Sequence, residues 1–558
     1  MGHIVFYSLF YLLPFTLASP KRHPPPATWA SFNNSISGRL ISSHPTAYPC
    51  HTPNFNQEAC SEVTKNWSDS FWRTDQVGGY SAILWEAGDG ACWIDGGNTT
   101  VADRKSGRCE GRDGNGLVAD YTVDARNVGD IQKAVVFADR WGLDLRVKNT
   151  GHDHLGRSSG KGTFAIWTHN LKGRKWHDGF LPKGAPKGTL SLPAVTLQAG
   201  EQWFDVYKDA TTQKRIVVGG SARTVGAAGG YLTGGGHSAW SNSYGLAVDN
   251  LLEVTLITAQ GKHKTINAYN DPEHFYAIRG GGGSSWGVIT SATYKTHPEP
   301  SHIQVAFAQF NVTKPEAFRG LLMSTFRTLP SVTDGGYTGY GTTYGGFGVG
   351  LIFIKPNGTN ESFVEAFQPL FKMTELAGVQ GAVGAVDFPS WDEYTKAFLQ
   401  DPNIATNVID TSRLLTKEVL EGKADELVRL TGEFPEFHAG FNFIGKVNSA
   451  GRDDTAVHEA WKTSRAIFSL GIDWPNDTPT EEKKRLKRRT QEVSRRFTEI
   501  VGKEGGTYVN EANPFEPDWK QVFWGGKYDR LLRIKKRVDP KGLFRCNRCV
   551  GGEVVWEP

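Results

Sequence analysis

Three glycine clusters in the middle of the chain carry its most telling chemistry. The first closes the run Val147, Lys148, Asn149, Thr150, Gly151, His152, Asp153, His154. The second spans residues 219–245 and holds Thr224, Val225, Gly226, Gly229, Gly230, then Gly234, Gly235, Gly236, His237 and Ser238. The third runs from Arg279 through four glycines to Ser284, Ser285, Trp286 and Gly287, and opens into Val288. Successive backbone N–H groups in glycine turns form anion nests, and a loop without side chains lets a pyrophosphate approach the backbone. A dinucleotide, with one pyrophosphate and two flat ring systems, explains several such loops together. Tight turns in a β-rich domain would explain any one of them alone. No cluster fits G-x-G-x-x-G with an acidic residue about twenty positions on, so a nicotinamide-type Rossmann site is not supported. His152 and His154 stand two apart in a loop, and Cys546 and Cys549 form a lone C-x-x-C. Neither makes a metal set at zinc spacing, so no metal is expected. Serine-hydrolase chemistry, which needs a G-x-S-x-G elbow, is not expected either.

The elements around these loops are legible. Ile131, Ala134, Val135, Ala138 and Trp141 recur at helical spacing with Gly142 as a stop, and Leu143, Leu145 and Val147 then alternate as a strand. Helix, strand and glycine loop make an α/β unit whose loop sits at a strand end, where ligands bind. Leu252, Val254 and Leu256 alternate as a second strand before a turn at Gln260 and Gly261. Beyond Pro298 and Pro300 the composition shifts, with strand-like runs at 305–310 and 349–354 among helical ones. A helix is expected over 480–497 with Leu486, Val493 and Phe497 inward, and its basic run 483–489 reads as a solvated face. Residues 19–30, rich in proline, read as loose, and 29–112 as an irregular, cysteine-bearing clamp over the next unit.

The totals set the class. In 558 residues, 39% hydrophobic and 22% charged residues describe a folded protein rather than a disordered one. A net charge of +4 on this length gives no reason to expect nucleic acid. Residues 4–15 are nearly all apolar, and Thr16, Leu17 and Ala18 follow as a small-residue cleavage site, so residues 1–18 read as a secretory signal peptide. No later stretch suggests a membrane span. The six cysteines suggest local pairs, Cys50 with Cys60, Cys92 with Cys109 and Cys546 with Cys549, out of fifteen formal connectivities. Sequons at Asn33, Asn66, Asn98, Asn311, Asn357, Asn360 and Asn476 agree with that compartment.

Taken in order, VKNTGHDHLGRSSG, GGSARTVGAAGGYLTGGGHS, AIRGGGGSSWGVIT and the C-terminal YVNEANPFEPDWKQVFWGGKYDRLLRIKKRVDPKGLF resemble the berberine-bridge-enzyme-like branch of the vanillyl-alcohol-oxidase flavoprotein family. The block from Trp29 through Cys50 to Trp67 further resembles secreted fungal isoamyl-alcohol-oxidase-type enzymes. The resemblance implies an α+β fold: a PCMH-type FAD-binding domain of two α/β subdomains (113–300), a substrate domain whose antiparallel sheet is covered by helices (301–505), and a C-terminal segment (506–558) returning to the FAD domain. Residues 19–112 form the cysteine-bearing N-terminal segment. It implies FAD bound at Lys148, Asn149, Thr150, Gly151, Asp153, Thr224, Val225, Gly226, Gly229, Gly235, Gly236, His237, Val288 and Asn510, with His152 joined covalently to the flavin. Ala222 stands where some members carry a second linking Cys, so one link is expected. Val225 matches the position that gates oxygen. Lys527 stands where the family often has Asn, so that flavin contact is in doubt. By the same resemblance Tyr508 is a catalytic base with its pKa lowered by Lys446, and Asn448 orients the substrate. The implied reaction is oxidation of a small substrate with transfer of electrons to O2. The alternative is an FAD-linked oxidoreductase or cyclase of a secondary-metabolite pathway.

Overall fold

The structure is a computed structural model and describes residues 23–88, 92–94, 109, 116–401, 404–448 and 454–554. The signal segment and the Asn98 sequon lie outside the described residues.

Three sheets position the glycine loops. The first has four strands, in the order Leu40–Ser42, Tyr121–Asp124, Phe164–Trp167, Leu145–Lys148. Only the outer pairing with Leu40–Ser42 is antiparallel. Parallel strands need a crossover, and the helix Val128–Trp141 supplies it. Asn127 caps its first turn by accepting from the Asp130 N–H, and Gly142 ends it in the left-handed conformation at φ 62°. Its buried face, Ile131, Ala134, Val135 and Ala138, packs with Phe32, Phe137 and Phe164.

The second sheet is wholly antiparallel: Arg174–Phe180, Leu192–Gln198, Val288–Lys295, Leu251–Ile257 and His263–Asn267. The third has seven antiparallel strands, in the order Val379–Phe388, Ile303–Val312, Gly348–Pro356, Thr338–Tyr344, His438–Ile444, Ser464–Trp474, Asn407–Thr416. The helices Ala317–Asp334, Asn360–Phe371, Ala424–Glu433 and Thr480–Val501 bury Phe326, Phe367, Leu427, Val493 and Phe497 in one core with that sheet's strands.

Three local expectations need correction. Residues 26–35 are a helix rather than a loose start, because Pro26 occupies the first turn, where a missing N–H costs nothing. Phe32 then stacks on Phe137 at 4.1 Å. The N-terminal segment is more regular than its composition suggests, with a second helix at Gln57–Asn66 and its strand in the first sheet. In the basic run, Lys483 and Lys487 are buried rather than solvated, and Lys483 Nζ donates to the Asn476 carbonyl at 2.9 Å. The disulfides pair Cys50 with Cys60, Cys92 with Cys109, and Cys546 with Cys549. No helix among the described residues is long and apolar enough to cross a membrane.

Candidate active site

A cavity of about 860 Å³ lies between the glycine loops and the seven-stranded sheet. One wall comes from Asn149 to Leu155, from Ser221, Ala222, Val225, Gly226 and Gly229 to Tyr231, and from Gly282 to Gly287. Facing it, Tyr340, Thr342 and Tyr344 on one strand, Gly440 and Asn442 on the next, and Val408 and Asp410 on the edge strand follow the period-two alternation of a sheet face. Ser81 and Ala82 of the N-terminal segment close one side. The Ser81 N–H donates to the Gly151 carbonyl at 3.0 Å, and the Ser81 carbonyl accepts from the Ala405 N–H at 2.7 Å.

The C-terminal segment ties the loops together. Asn510 Nδ2 donates to the Gly230 carbonyl at 3.0 Å, Lys535 Nζ to the Ser285 carbonyl at 2.7 Å, and Asn547 Nδ2 to the Leu155 carbonyl at 2.9 Å. Arg157 donates in turn to the carbonyls of Asn547 and Arg548 at 3.1 and 2.9 Å.

The cavity suits a dinucleotide on two counts. Arg157 lines it and keeps Nη1 buried without a hydrogen-bond partner, which a phosphate oxygen would satisfy. Burial pulls this guanidinium down to about 10, which leaves it charged at neutral pH. Second, the glycine backbone is open to a ligand where it lines the cavity: a Cβ on Gly230 would meet nothing within 4 Å, and one on Gly283 would meet only Gly230 Cα at 3.4 Å and Thr233 Oγ1 at 3.6 Å.

His152 sits on the first loop with Nε2 2.7 Å from Thr224 Oγ1. Burial lowers its pKa to about 4, opposed by the Asp401 carboxylate, so the ring is neutral at pH 7. Thr224 is itself held by its N–H donating to Asp401 Oδ1 at 3.1 Å. Asp153 braces the loop, accepting from the Leu155 N–H at 3.0 Å and from the Ser158 N–H and hydroxyl at 2.8 and 2.6 Å. On the opposite side, His237 Nε2 meets Glu511 Oε1 at 3.0 Å, and Asn442 Nδ2 donates to Glu511 Oε2 at 3.1 Å. Tyr508 packs edge-on to His237, and its hydroxyl oxygen accepts from Asn510 Nδ2 at 2.8 Å.

Of the residues singled out in the sequence, Asn149, Thr150, Gly151, His152, Asp153, Val225, Gly226, Gly229, His237, Tyr508 and Asn510 line this cavity. Others do not. Lys148 points away because its strand neighbour Val147 and the adjoining Asn149 take the cavity side. It lies between the Tyr80 and Trp167 rings, donates to the Gln76 carbonyl at 2.9 Å, and is pulled down to about 7 by burial. Val288 turns into the core while Gly287 and Ile289 face the cavity. Gly235 and Gly236 serve packing at positive φ, since a Cβ on Gly236 would strike Ala247 and Tyr231. Thr224 is not in the lining and meets it through its hydroxyl's contact with the His152 ring. Lys446 and Asn448 follow the end of the strand His438–Ile444 and are exposed; Asn448 Nδ2 donates to the Ser243 carbonyl at 3.1 Å. Burial, with Glu511 adding, raises the Tyr508 hydroxyl well above its ordinary value, opposite to the expected lowering. Lys527 is pinned to the Val457 carbonyl at 2.8 Å and to Glu459 at 2.6 Å. Two stretches, 156–160 and 283–287, do carry G-x-S-x-G spacing. Neither is an elbow: Ser158 donates to Asp153, and Ser285 to the Gly283 carbonyl at 3.2 Å.

Sequence reasoning missed Arg157, His154, Tyr340, Asp410, Asn442 and Glu511. Asp410 gave no local signal: its strand buries apolar Val408 and Ile409 and polar Thr411, Ser412 and Arg413 alike.

Residues 119–267 match the FAD binding domain family, and residues 507–551 match the berberine and berberine like family. An uncharacterized FAD-linked oxidoreductase of Arthroderma benhamiae is 55% identical over 97% of this chain and 94% of its own. The FAD-linked oxidoreductase ZEB1 of Gibberella zeae is 31% identical over 95% of this chain and 91% of its own. Among solved structures, the VAO-type flavoprotein MtVAO615 of Myceliophthora thermophila C1 superposes with a TM-score of 0.84 at 26% identity, covering 97% of each chain. On these matches, the chain belongs to the FAD-linked oxidoreductases of the berberine-bridge-enzyme and vanillyl-alcohol-oxidase family.

Proposed function

We propose that the chain is a secreted FAD-dependent oxidase of a small organic substrate, an alcohol in the simplest case, with O2 as electron acceptor and H2O2 as product. The observation that carries this reading is a single cavity joining the glycine loops to the polar face of the seven-stranded sheet, so that cofactor and substrate share one space. The backbone at Thr150, Gly226, Gly229 and Gly283 and the charge of Arg157 would hold FAD. His152 presents a neutral imidazole suited to one covalent link, and Ala222 offers no thiol for a second. Bound FAD supplies a two-electron acceptor; placement and proton transfer fall to the protein. Tyr340, Tyr508 and Asn442 orient a polar substrate, and Val225 borders the loops without filling the space. Tyr508, protonated at neutral pH, donates a hydrogen bond rather than acting as base. Three disulfides fit an oxidising compartment.

Acid precipitation, mapping of any flavinylated peptide and a peroxide-release screen of simple alcohols test this reading. Flavin on the His152 peptide with peroxide release is the expected result. No flavin after FAD addition would overturn it. The cavity also reaches Phe398 and Gln400, leaving room for a larger substrate. Bound flavin without peroxide from any simple alcohol would favour the second reading, an oxidoreductase or cyclase of a secondary-metabolite pathway.

A further inference from the structure

The cavity has three carboxylates in its lining, Asp153, Asp410 and Glu511. Two are committed. Asp153 accepts three hydrogen bonds within its own loop, and Glu511 is spanned by His237 and Asn442. Asp410 is different. Its neighbour in the cavity is His154, whose Nδ1 lies 3.6 Å from Asp410 Oδ2. The sheet register explains why Asp410 stands where it does. Asp410 and His438 are both cross-strand partners of Gly471. A Cβ on Gly471 would stand 2.6 Å from Asp410 Oδ1 and 2.4 Å from His438 Nε2. The missing side chain therefore leaves room for Asp410 and the His438 imidazole over the strand Ser464–Trp474 that lies between theirs.

We propose that His154 and Asp410 are the proton-accepting pair of this redox centre: they take the hydroxyl proton of the bound alcohol as its carbon is oxidised. The inference rests on reading the cavity as a flavin-dependent oxidase site. The balance is simple. The carbinol C–H leaves as hydride to the bound flavin, the O–H proton passes to the pair, and a carbonyl C=O forms. O2 then takes the two electrons and two protons as H2O2, which returns the pair to its starting state.

The surrounding charges favour this role. His154 faces Asp410, Glu511 and Asp153 as acids and His152 as the other base; Asp410 faces His154 and His438, and His438 also lies 3.5 Å from Asp473. Burial works against charge on His154, but Asp410, with Glu511 and Asp153 adding, outweighs it and raises its pKa. The other polar groups of the cavity serve less well. His152 is engaged by Thr224 and pulled down, and the hydroxyls of Tyr508 and Tyr340 are pushed up by burial.

The test needs no knowledge of the natural substrate. The flavin potential of the holoprotein is measured spectroelectrochemically from pH 5 to 9 in wild type, His154→Gln and Asp410→Asn. A pair that gains a proton when the flavin is reduced adds a tenfold shift per pH unit over the interval where it titrates, about 30 mV for a two-electron couple. That added slope is expected in wild type and lost in His154→Gln. It moves to lower pH in Asp410→Asn, because the main partner raising His154 is gone. Variants that keep their flavin and superpose on wild type overturn the proposal; if Asp410→Asn fails to fold, His154→Gln decides alone. A wild type with no bound flavin fails the underlying reading instead. With the alcohol that gives the fastest peroxide release, Asp410→Asn should slow anaerobic flavin reduction by roughly 100-fold or more.

Discussion

Gly230→Ala separates fold from cofactor. Gly230 opens the short helix Gly230–Thr233, has no positive φ, and lines the cavity with nothing within 4 Å of an added Cβ. The protein therefore accommodates the methyl without strain. An unstrained Gly→Ala change stabilises by about 0.4–1 kcal/mol through the unfolded chain. A ligand packed on that backbone meets the methyl instead, and overpacking costs about 1–3 kcal/mol, or roughly 5- to 150-fold in affinity. The assay is FAD titration of the apoprotein in a His152→Ala background, where binding is reversible, read by flavin fluorescence beside thermal unfolding. Gly320→Ala is the control: it lies in the first turn of the helix Ala317–Asp334, also has nothing within 4 Å, and stands outside the cavity. Unfolding should be unchanged or slightly later in both variants, with FAD affinity falling only in Gly230→Ala. Affinity within about twofold of the parent would refute the placement of the dinucleotide along this glycine, because no other consequence of the methyl is available to mask it.

Tyr508→Phe should retain its flavin and lose no more than about tenfold in flavin reduction, the worth of one neutral hydrogen bond, measured by anaerobic stopped flow; a loss of several orders of magnitude would restore the base assignment. Glu516→Gln should destabilise by about 3–5 kcal/mol in denaturant unfolding, because Arg413, buried at 0% side-chain exposure, would lose a carboxylate that holds it at 3.0 Å through both oxygens. His458 is buried, and desolvation lowers its pKa to about 4. The unfolded ring therefore binds its proton first, and stability falls as pH drops from about 6.5 towards 4, by up to about 3 kcal/mol. His458→Gln should flatten that part of the thermal-midpoint profile between pH 7 and 4, and an unchanged profile would contradict it.

The parts of the fold that depend on local pattern were readable. The helix Val128–Trp141 carries its cap, its apolar stripe and its glycine stop within sixteen residues, and the glycine loops declare themselves by composition. What was hidden depends on register and distance. Asp410 and His154 meet across more than 250 positions, where the first glycine loop faces the edge strand of the seven-stranded sheet, a juxtaposition no local pattern encodes. Lys446 was misplaced because the strand His438–Ile444 ends just before it, and strand ends are set by tertiary pairing rather than by residue type. Lys148 was half right: its position in the strand was legible, but which face turned to the cavity was fixed only once Phe164–Trp167 paired beside it.

The walls of the cavity come from both extremities of the chain. Ser81 reaches its partner only after Ala405 is made, and Arg157 finds its carbonyls only at Asn547 and Arg548. On a ribosome, the loop that bears His152 is therefore synthesised hundreds of residues before the groups that fix it. The cradle can close only once Asn547 and Arg548 have been made, and a chain that stops before Asn547 would keep most of the secondary structure encoded but leave the cradle unclasped.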